Sequence, residues 1–344
     1  MRVVLGIESS CDETAVALVR ADGRVLAERI ASQDGEHRPF GGVVPELAAR
    51  AHAERLAPML KTVLDEAGLA VTDVDAIAAT AGPGLVGGVM VGLVTGKALA
   101  FAARKPLYGI NHLEGHALSP RLVAPGLGFP YLLLLVSGGH CQLIAVEGVG
   151  KYRRLATTID DAAGEAFDKV AKMLGLGFPG GPAVERQAAT GKSDAVVLPR
   201  PLVGSGEPHF SFAGLKTAVL RAVQSGLHAP EDIAASFQAA VTDCLSDRTR
   251  IALRAMPEAT ALVVAGGVAA NSAVRAALEG VARAGAIPFI APPLKLCTDN
   301  ATMIAWAALE RMAANLAPEP DPQARPRWPL DPSAEPVRGA GVKA

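Results

Sequence analysis

The chain has 344 residues, half of them hydrophobic and 4% aromatic, with a formal net charge of −1. That length exceeds what one hydrophobic core usually supports, so two lobes are expected; an interior of Ala, Val and Leu suits packed α/β layers better than a β-sandwich or a disordered chain. No global basic field is present to attract a polyanion, which leaves nucleic acid to a local patch or a partner protein.

In chain order, RVVLGI (2–7) is an apolar β run that passes through the polar turn ESSCDET into AVALV (15–19), a hairpin. Helical periodicity over 45–67 is followed by a strand at DAIAAT (75–80), a helix at 88–103, and a short strand at PLYGI (106–110). That strand leads into a helix carrying NHLEGHAL (111–118). The run YLLLLV (131–136) turns at SGGH and returns as CQLIAV (141–146), the same device as the first hairpin. Helices follow near 160–174, 181–190, 213–225 and 231–254, then a strand at 261–266, a helix from 272, a strand at 287–291 and a last helix at 299–314. The alternation indicates an α/β fold with covered sheets, and the recurring hairpin indicates two duplicated lobes, with chance recurrence as the alternative. From Pro318 the chain is rich in Pro, Arg and Ala and is expected as a mobile or surface-draped tail.

Cys11, Cys141, Cys244 and Cys297 form no CxxC and no framework spacing, as expected in a reduced, cytoplasmic setting. The N-terminus has no secretory pattern, and apolar runs such as 131–136 are strand-length, so no membrane span is expected.

Four glycine-rich turns border strands or helices: TAGPGLVGG (80–88), SGGH (137–140), GFPGGPAVE (177–185) and AGGVAAN (265–271). Any one reads as a tight turn or a close packing contact; together they favour a nucleotide-like ligand approached by backbone N–H groups. No Walker A loop and no GxGxxG occurs, which disfavours a P-loop ATPase or a dinucleotide enzyme. The first turn gathers Glu8, Asp12 and Glu13 with Ser9, Ser10 and Thr14. It is either an exposed acidic tip or a place where a carboxylate orients a ligand or moves a proton.

His112 and His116 are four residues apart on a helix, with Cβ atoms about 6 Å apart on one face, a reach suited to a shared metal ion. A zinc peptidase places Glu beside one of its histidines, as HExxH or HxxEH. Here Glu114 is two residues from each, about 200° around the helix, and reads instead as N3 of a capping box begun by Asn111. A third ligand would strengthen the metal reading. Asp299, at the start of the final helix, can serve as that ligand, as an N-cap, or as both, and two imidazoles with one carboxylate suit Fe(II) or Zn(II). Glu165–Lys169 and Asp168–Lys172 read as ordinary i,i+4 ion pairs worth about 0.2–0.5 kcal/mol each, although an Asp near a glycine turn could hold a ligand hydroxyl. The basic clusters at 104–105 and 151–154 read as solvated surface, with contact to phosphates as the alternative.

The motifs GIESSCDETAVA, NHLEGH, LVSGGH, DDAAGEAFDKVAKMLGLGFPGGP, FSFAGLKTA, GGVAAN and CTDNA, in order from about residue 3 to 310, closely resemble those of the TsaD family. The resemblance implies a duplicated actin/Hsp70/sugar-kinase-like (ASKHA) α/β fold, two lobes with a nucleotide cleft between them. Lobes of 1–125 plus 301–317 and of 126–300 are expected, with 318–344 as the tail. The implied reaction moves the threonylcarbamoyl group of threonylcarbamoyl-AMP to N6 of adenosine at tRNA position 37, in tRNAs reading codons that begin with A. By motif, His112, His116 and Asp299 would bind the metal, Fe(II) or else Zn(II). Leu135, Val136, Ser137, Gly138, Gly139, Asp168, Gly181, Glu185 and Asn271 would bind the nucleotide-bearing substrate, and Asp12 and Glu13 would be catalytic. His209 stands before FSFAG where the family often has Asp. The implied partners are tRNA, TsaB as dimer partner, the ATPase TsaE, and a TsaC-type enzyme supplying the intermediate. The competing readings are an endopeptidase, an ASKHA kinase or ATPase, and a silent scaffold resembling TsaB.

Overall fold

The computed structural model describes residues 1–40 and 42–337. The chain divides into two compact units, Met1–Gly126 with Thr298–Pro332, and Leu127–Cys297 with the residues from Ser333.

In the first unit, β1 (Val3–Glu8), β2 (Glu13–Arg20) and β3 (Val25–Ser32) form an antiparallel meander, and β4 (Ala76–Gly82) and β5 (Leu107–Asn111) extend the sheet in parallel, in the order β3-β2-β1-β4-β5. β4 is buried along its whole length, as a parallel strand covered on both faces must be. The helices are α1 (Asp34–His37), α2 (Pro45–Ala67), α3 (Val86–Ala103) and α4 (His112–Val123). Alternate residues of β1 meet different helical layers. A Cβ at Gly6 would touch Ala305, on the C-terminal helix of this unit, whereas Ile7 lies beside Gly92 of α3.

In the second unit, β6 (Tyr131–Val136), β7 (Cys141–Gly148), β8 (Lys151–Thr157), β9 (Leu262–Ala265) and β10 (Phe289–Ile290) are ordered β10-β9-β6-β7-β8. β6 through β10 therefore repeat the pairing plan of β1 through β5, which is the duplication that the two hairpins announced. Helices α5 (Ala163–Met173), α6 (Gly180–Ala188), α7 (Ala213–Ser225), α8 (Pro230–Arg254), α9 (Ser272–Ala284) and α10 (Leu294–Cys297) belong to this unit, and α11 (Ala301–Ala313) belongs to the first.

Three features depart from the sequence reading. β3 was not legible as a strand, and 151–154, read as solvated basic surface, lies in β8 with alternating exposure. α3 is long and apolar enough to cross a membrane by length and composition, with a mean hydropathy of 1.7, so the expectation that apolar runs stop at strand length is corrected. Here it lies along β4, with Gly92 seated on the Ser9 hydroxyl and Gly96 on Ala79. Its outer side leaves Val86, Met90, Val94 and Phe101 exposed.

The third departure is the segment expected as a tail. Residues 321–328 form a strap on the first unit: Arg325 N donates to Ala81 O at 2.7 Å, Gly84 N donates to Pro326 O at 3.2 Å, and Asn111 Nδ2 donates to Trp328 O at 2.9 Å. Trp328 packs against the apolar core of this unit, with the Arg325 guanidinium 4.4 Å over its ring. Residues 338–344 of the expected tail lie outside the described residues.

Candidate functional site

His112 is the first residue of α4 and His116 sits one turn on, where the strand β5 delivers them from the sheet. Asn111 caps the helix, its side-chain oxygen accepting from Leu113 N at 2.9 Å. Both histidines are buried, with ring centroids 4.8 Å apart and planes at 85°. Asp299, just before α11, places Oδ1 3.4 Å from His112 Nε2 and 3.2 Å from His116 Nε2. The three residues offer donor atoms within 4.8 Å of one another. All three belong to the first unit. The N-cap of α11 is Asn300, which accepts from Met303 N, so Asp299 is not needed for capping.

One carboxylate oxygen between two imidazole nitrogens suits a divalent cation, and His116 Nδ1 is buried without a hydrogen-bond partner. The donor set fits Fe(II) or Zn(II). Burial opposes ionisation of Asp299, but the charge and hydrogen bonds of His112 and His116 carry its carboxyl far below the usual range. Burial likewise opposes a charge on His112, and Asp299 and Glu8 reverse that, holding the imidazole well above its ordinary pKa while no cation is bound.

Gly115 lets α4 and α11 approach. A Cβ there would lie 3.1 Å from both Ile304 Cδ1 and Met303 Cγ. Glu114 is fully buried and its Oε2 takes the Arg311 guanidinium of α11, at 2.8 Å to Nε and 2.7 Å to Nη2. The N-cap half of the expected capping box is present in Asn111, while the carboxylate of Glu114 serves the α4–α11 contact. A carboxylate so engaged is not available as the general base that a zinc peptidase carries beside its histidines.

The acidic turn lies in the same unit. Burial, Asp299 and Asp12 push the Glu13 carboxyl up to about 10. The turn is held from α2 by His52, which is wholly buried. Its Nε2 lies 3.0 Å from the Cys11 carbonyl and its Nδ1 2.8 Å from Thr14 Oγ1, so the ring grips both sides of Asp12 and Glu13. Because a carbonyl only accepts, Nε2 carries the proton and Nδ1 accepts from Thr14. The sequence reading passed over His52; the available signal was its place on the apolar stripe Ala48, His52, Leu56, Leu60. Glu8 and Ser10 were read only as members of the acidic turn, not as neighbours of His112, and Thr80 was not singled out. The turn TAGPGLVGG proves to be packing: Gly84 accommodates the Ser10 carbonyl, 2.5 Å from where a Cβ would stand.

The residues expected to hold a nucleotide all lie in the second unit. Leu135 and Val136 end β6 with fully buried side chains, so only their backbone could face a ligand. Ser137, Gly138 and Gly139 form the turn, closed by Ser137 N donating to His140 O at 2.8 Å, with open space beside both glycines. Gly266, at a φ of 93°, presses on the Val136 carbonyl and brings AGGVAAN to the end of β6. Asp168 Oδ1 accepts from Gly180 N at 2.8 Å, beside Gly181. Glu185 Oε1 accepts from Ser272 N at 2.8 Å, and Asn271 caps α9 through Val274 N at 3.0 Å while donating to Gln238 Oε1 at 2.8 Å. Glycine turns and helix starts thus gather where β6 and β9 end, the usual place for a ligand in such a sheet.

The fold and these sites define a duplicated ASKHA-type α/β protein. Its solved relatives include the HypF of T. kodakarensis, with a TM-score of 0.62 and 14% identity over 91% of this chain and 48% of that one. Component A of the (R)-2-hydroxyglutaryl-CoA dehydratase of Acidaminococcus fermentans gives a TM-score of 0.54 and 17% identity, covering 91% and 100%. At such identities the likeness is of fold alone. The chain belongs to the TsaD family, described as tRNA N6-adenosine threonylcarbamoyltransferase, whose profile matches residues 24–306. It is 72% identical to the protein of that name from Sphingopyxis alaskensis, over the full length of both, and 69% identical to that of Erythrobacter litoralis, again over the full length of both.

Proposed function

We propose that this chain transfers the threonylcarbamoyl group of threonylcarbamoyl-AMP to N6 of adenosine at position 37 of tRNAs that read codons beginning with A. What carries the reading is full-length identity to proteins named for adenosine N6 threonylcarbamoylation of tRNA.

The donor is a mixed anhydride of a carbamic acid and a phosphate, so its carbonyl is already activated. N6 attacks that carbon, the carbon–oxygen bond to phosphate breaks, AMP leaves with the electron pair, and N6 gives up a proton. The amine of adenine is a poor nucleophile, so positioning and charge stabilisation carry the catalysis. His112, His116 and Asp299 would hold the divalent cation, Fe(II) or Zn(II), which when bound supplies polarisation of substrate oxygens. Asp12 accepts the N6 proton or orients the base. Glu13, beside Asp12 in the same turn, helps to place the base. The open backbone at Gly138 and Gly139, with Asp168, Gly181, Glu185 and Asn271, receives the adenylate.

The exposed row Val86, Met90, Val94 and Phe101 on α3 supports a protein partner on that face, as TsaB would be. TsaE as an ATPase and a TsaC-type supplier complete the expected cytoplasmic system. The test is a reconstitution of this chain with its partners, tRNA and threonylcarbamoyl-AMP, read by nucleoside mass spectrometry. Modified adenosine formed without ATP is expected; no modified nucleoside, together with steady ATP turnover by this chain alone without tRNA, would point to a kinase or ATPase instead.

A further inference from the structure

We propose that Glu8, a carboxylate at the end of the first strand, is the positioning residue of the metal centre: it fixes the proton of His112 on Nδ1 and so commits Nε2 to the metal. This rests on the metal reading of His112, His116 and Asp299. Glu8 is fully buried, where an unpaired carboxylate would be costly, and its hydrogen bonds show what it is held for. Oε1 accepts from Ser10 N at 2.6 Å. Oε2 accepts from Thr80 Oγ1 at 2.6 Å and lies 3.0 Å from His112 Nδ1. An ionised carboxylate only accepts, so that approach requires a proton on Nδ1. The Ser10 hydroxyl, 3.1 Å from the same nitrogen, can accept from that proton too. With Nδ1 engaged, Nε2 is the nitrogen that faces Asp299.

The two histidines are therefore unequal. His112 has a carboxylate behind it that is itself anchored by β4 and by the turn after β1, whereas His116 Nδ1 is buried with no partner. A carboxylate behind a ligating imidazole fixes its orientation and raises its basicity, and its loss typically weakens metal binding about ten- to a hundredfold. Glu8→Gln keeps the shape and removes the charge, so the full chain carrying it should bind Co(II) about tenfold or more weakly than wild type.

The experiment is Co(II) competition against a chromophoric chelator for wild type, Glu8→Gln and His116→Ala, with thermal unfolding in parallel. It is paired with nitrogen-15 histidine spectra of the Zn(II)-loaded wild type. Expected are weaker Co(II) binding in folded Glu8→Gln and a protonated Nδ1 at His112. A folded Glu8→Gln with wild-type affinity would overturn the inference, because a merely structural Glu8 would lower only the melting temperature. Protonated Nε2 at His112 in the wild-type spectrum would overturn it as well, and decides the matter should Glu8→Gln not fold. Absence of Co(II) binding in wild type, or binding unchanged in His116→Ala, would instead sink the metal reading, and this inference with it.

Discussion

Asp299 Oδ1 lies 3.2 Å from His116 Nε2 across a sequence separation of 183 residues. Because Asn300 caps α11, the carboxylate can be removed without unravelling the helix. Asp299→Asn should therefore leave α11 helical while lowering metal content by at least about tenfold. Elemental analysis of the purified variant checks this. Asn300→Ala should do the reverse, costing about 1 kcal/mol of stability.

Glu114 forms a buried pair with Arg311, whose side chain is 23% exposed. Removing one partner of a buried pair typically costs about 3–5 kcal/mol, and the partial exposure of Arg311 places Glu114→Gln toward the lower end. Chemical denaturation should show that loss, with metal bound per folded molecule unchanged. A drop in metal content equal to that of Asp299→Asn would contradict the assigned role.

Gly115 is a spacer. A valine at this position would press on Met303 and Ile304, and overpacking of this kind costs about 1–3 kcal/mol. Since Asp299 enters the site from the start of the same helix, Gly115→Val should weaken both stability and Co(II) affinity, which the chelator competition and a melting curve read separately.

His52 supplies a pH dependence. Burial, the leading cause, lowers its pKa below the ordinary 6.5. The unfolded chain then takes up a proton that the folded chain refuses, so more protons are bound unfolded than folded and stability rises with pH. The contribution is present above about 6.5 and is lost as the pH falls toward the folded pKa. Urea unfolding at pH 5.5 and 7.5 should show a smaller difference for His52→Gln than for wild type.

Asp12→Asn should abolish threonylcarbamoyl transfer with metal content unchanged, because Asp12 is not among the metal donors. Nucleoside mass spectrometry beside elemental analysis separates the two quantities, and full activity in the variant would remove Asp12 from the mechanism.

The metal residues were legible because each leaves a local trace: two histidines one turn apart, and an aspartate at a helix start among apolar flanks. The hairpins and the helices α2 and α7 were legible for the same reason, since periodicity is a property of neighbours. Glu8 was not. A glutamate ending a strand looks alike whether it meets solvent or the back of a histidine, and only the pairing of β1 with β4 puts Thr80 and His112 around it. β3 and β8 were hidden because strands at a sheet edge carry charges that break the apolar pattern, as Glu28, Arg29, Arg153 and Arg154 do. The strap was hidden because its hydrogen bonds are made by backbone groups, which no side-chain pattern records.

The first unit is made from both ends of the chain, with Asp299 and the strap at Trp328 supplied after the whole run from Leu127 to Cys297. During synthesis, therefore, the strands β6 to β10 leave the ribosome before Asp299, the last residue of the His112–His116–Asp299 cluster, exists. The stretch Leu127–Cys297 can close while the chain is still growing, and the first unit cannot. The two histidines wait, already on their helix, for a carboxylate that is translated last.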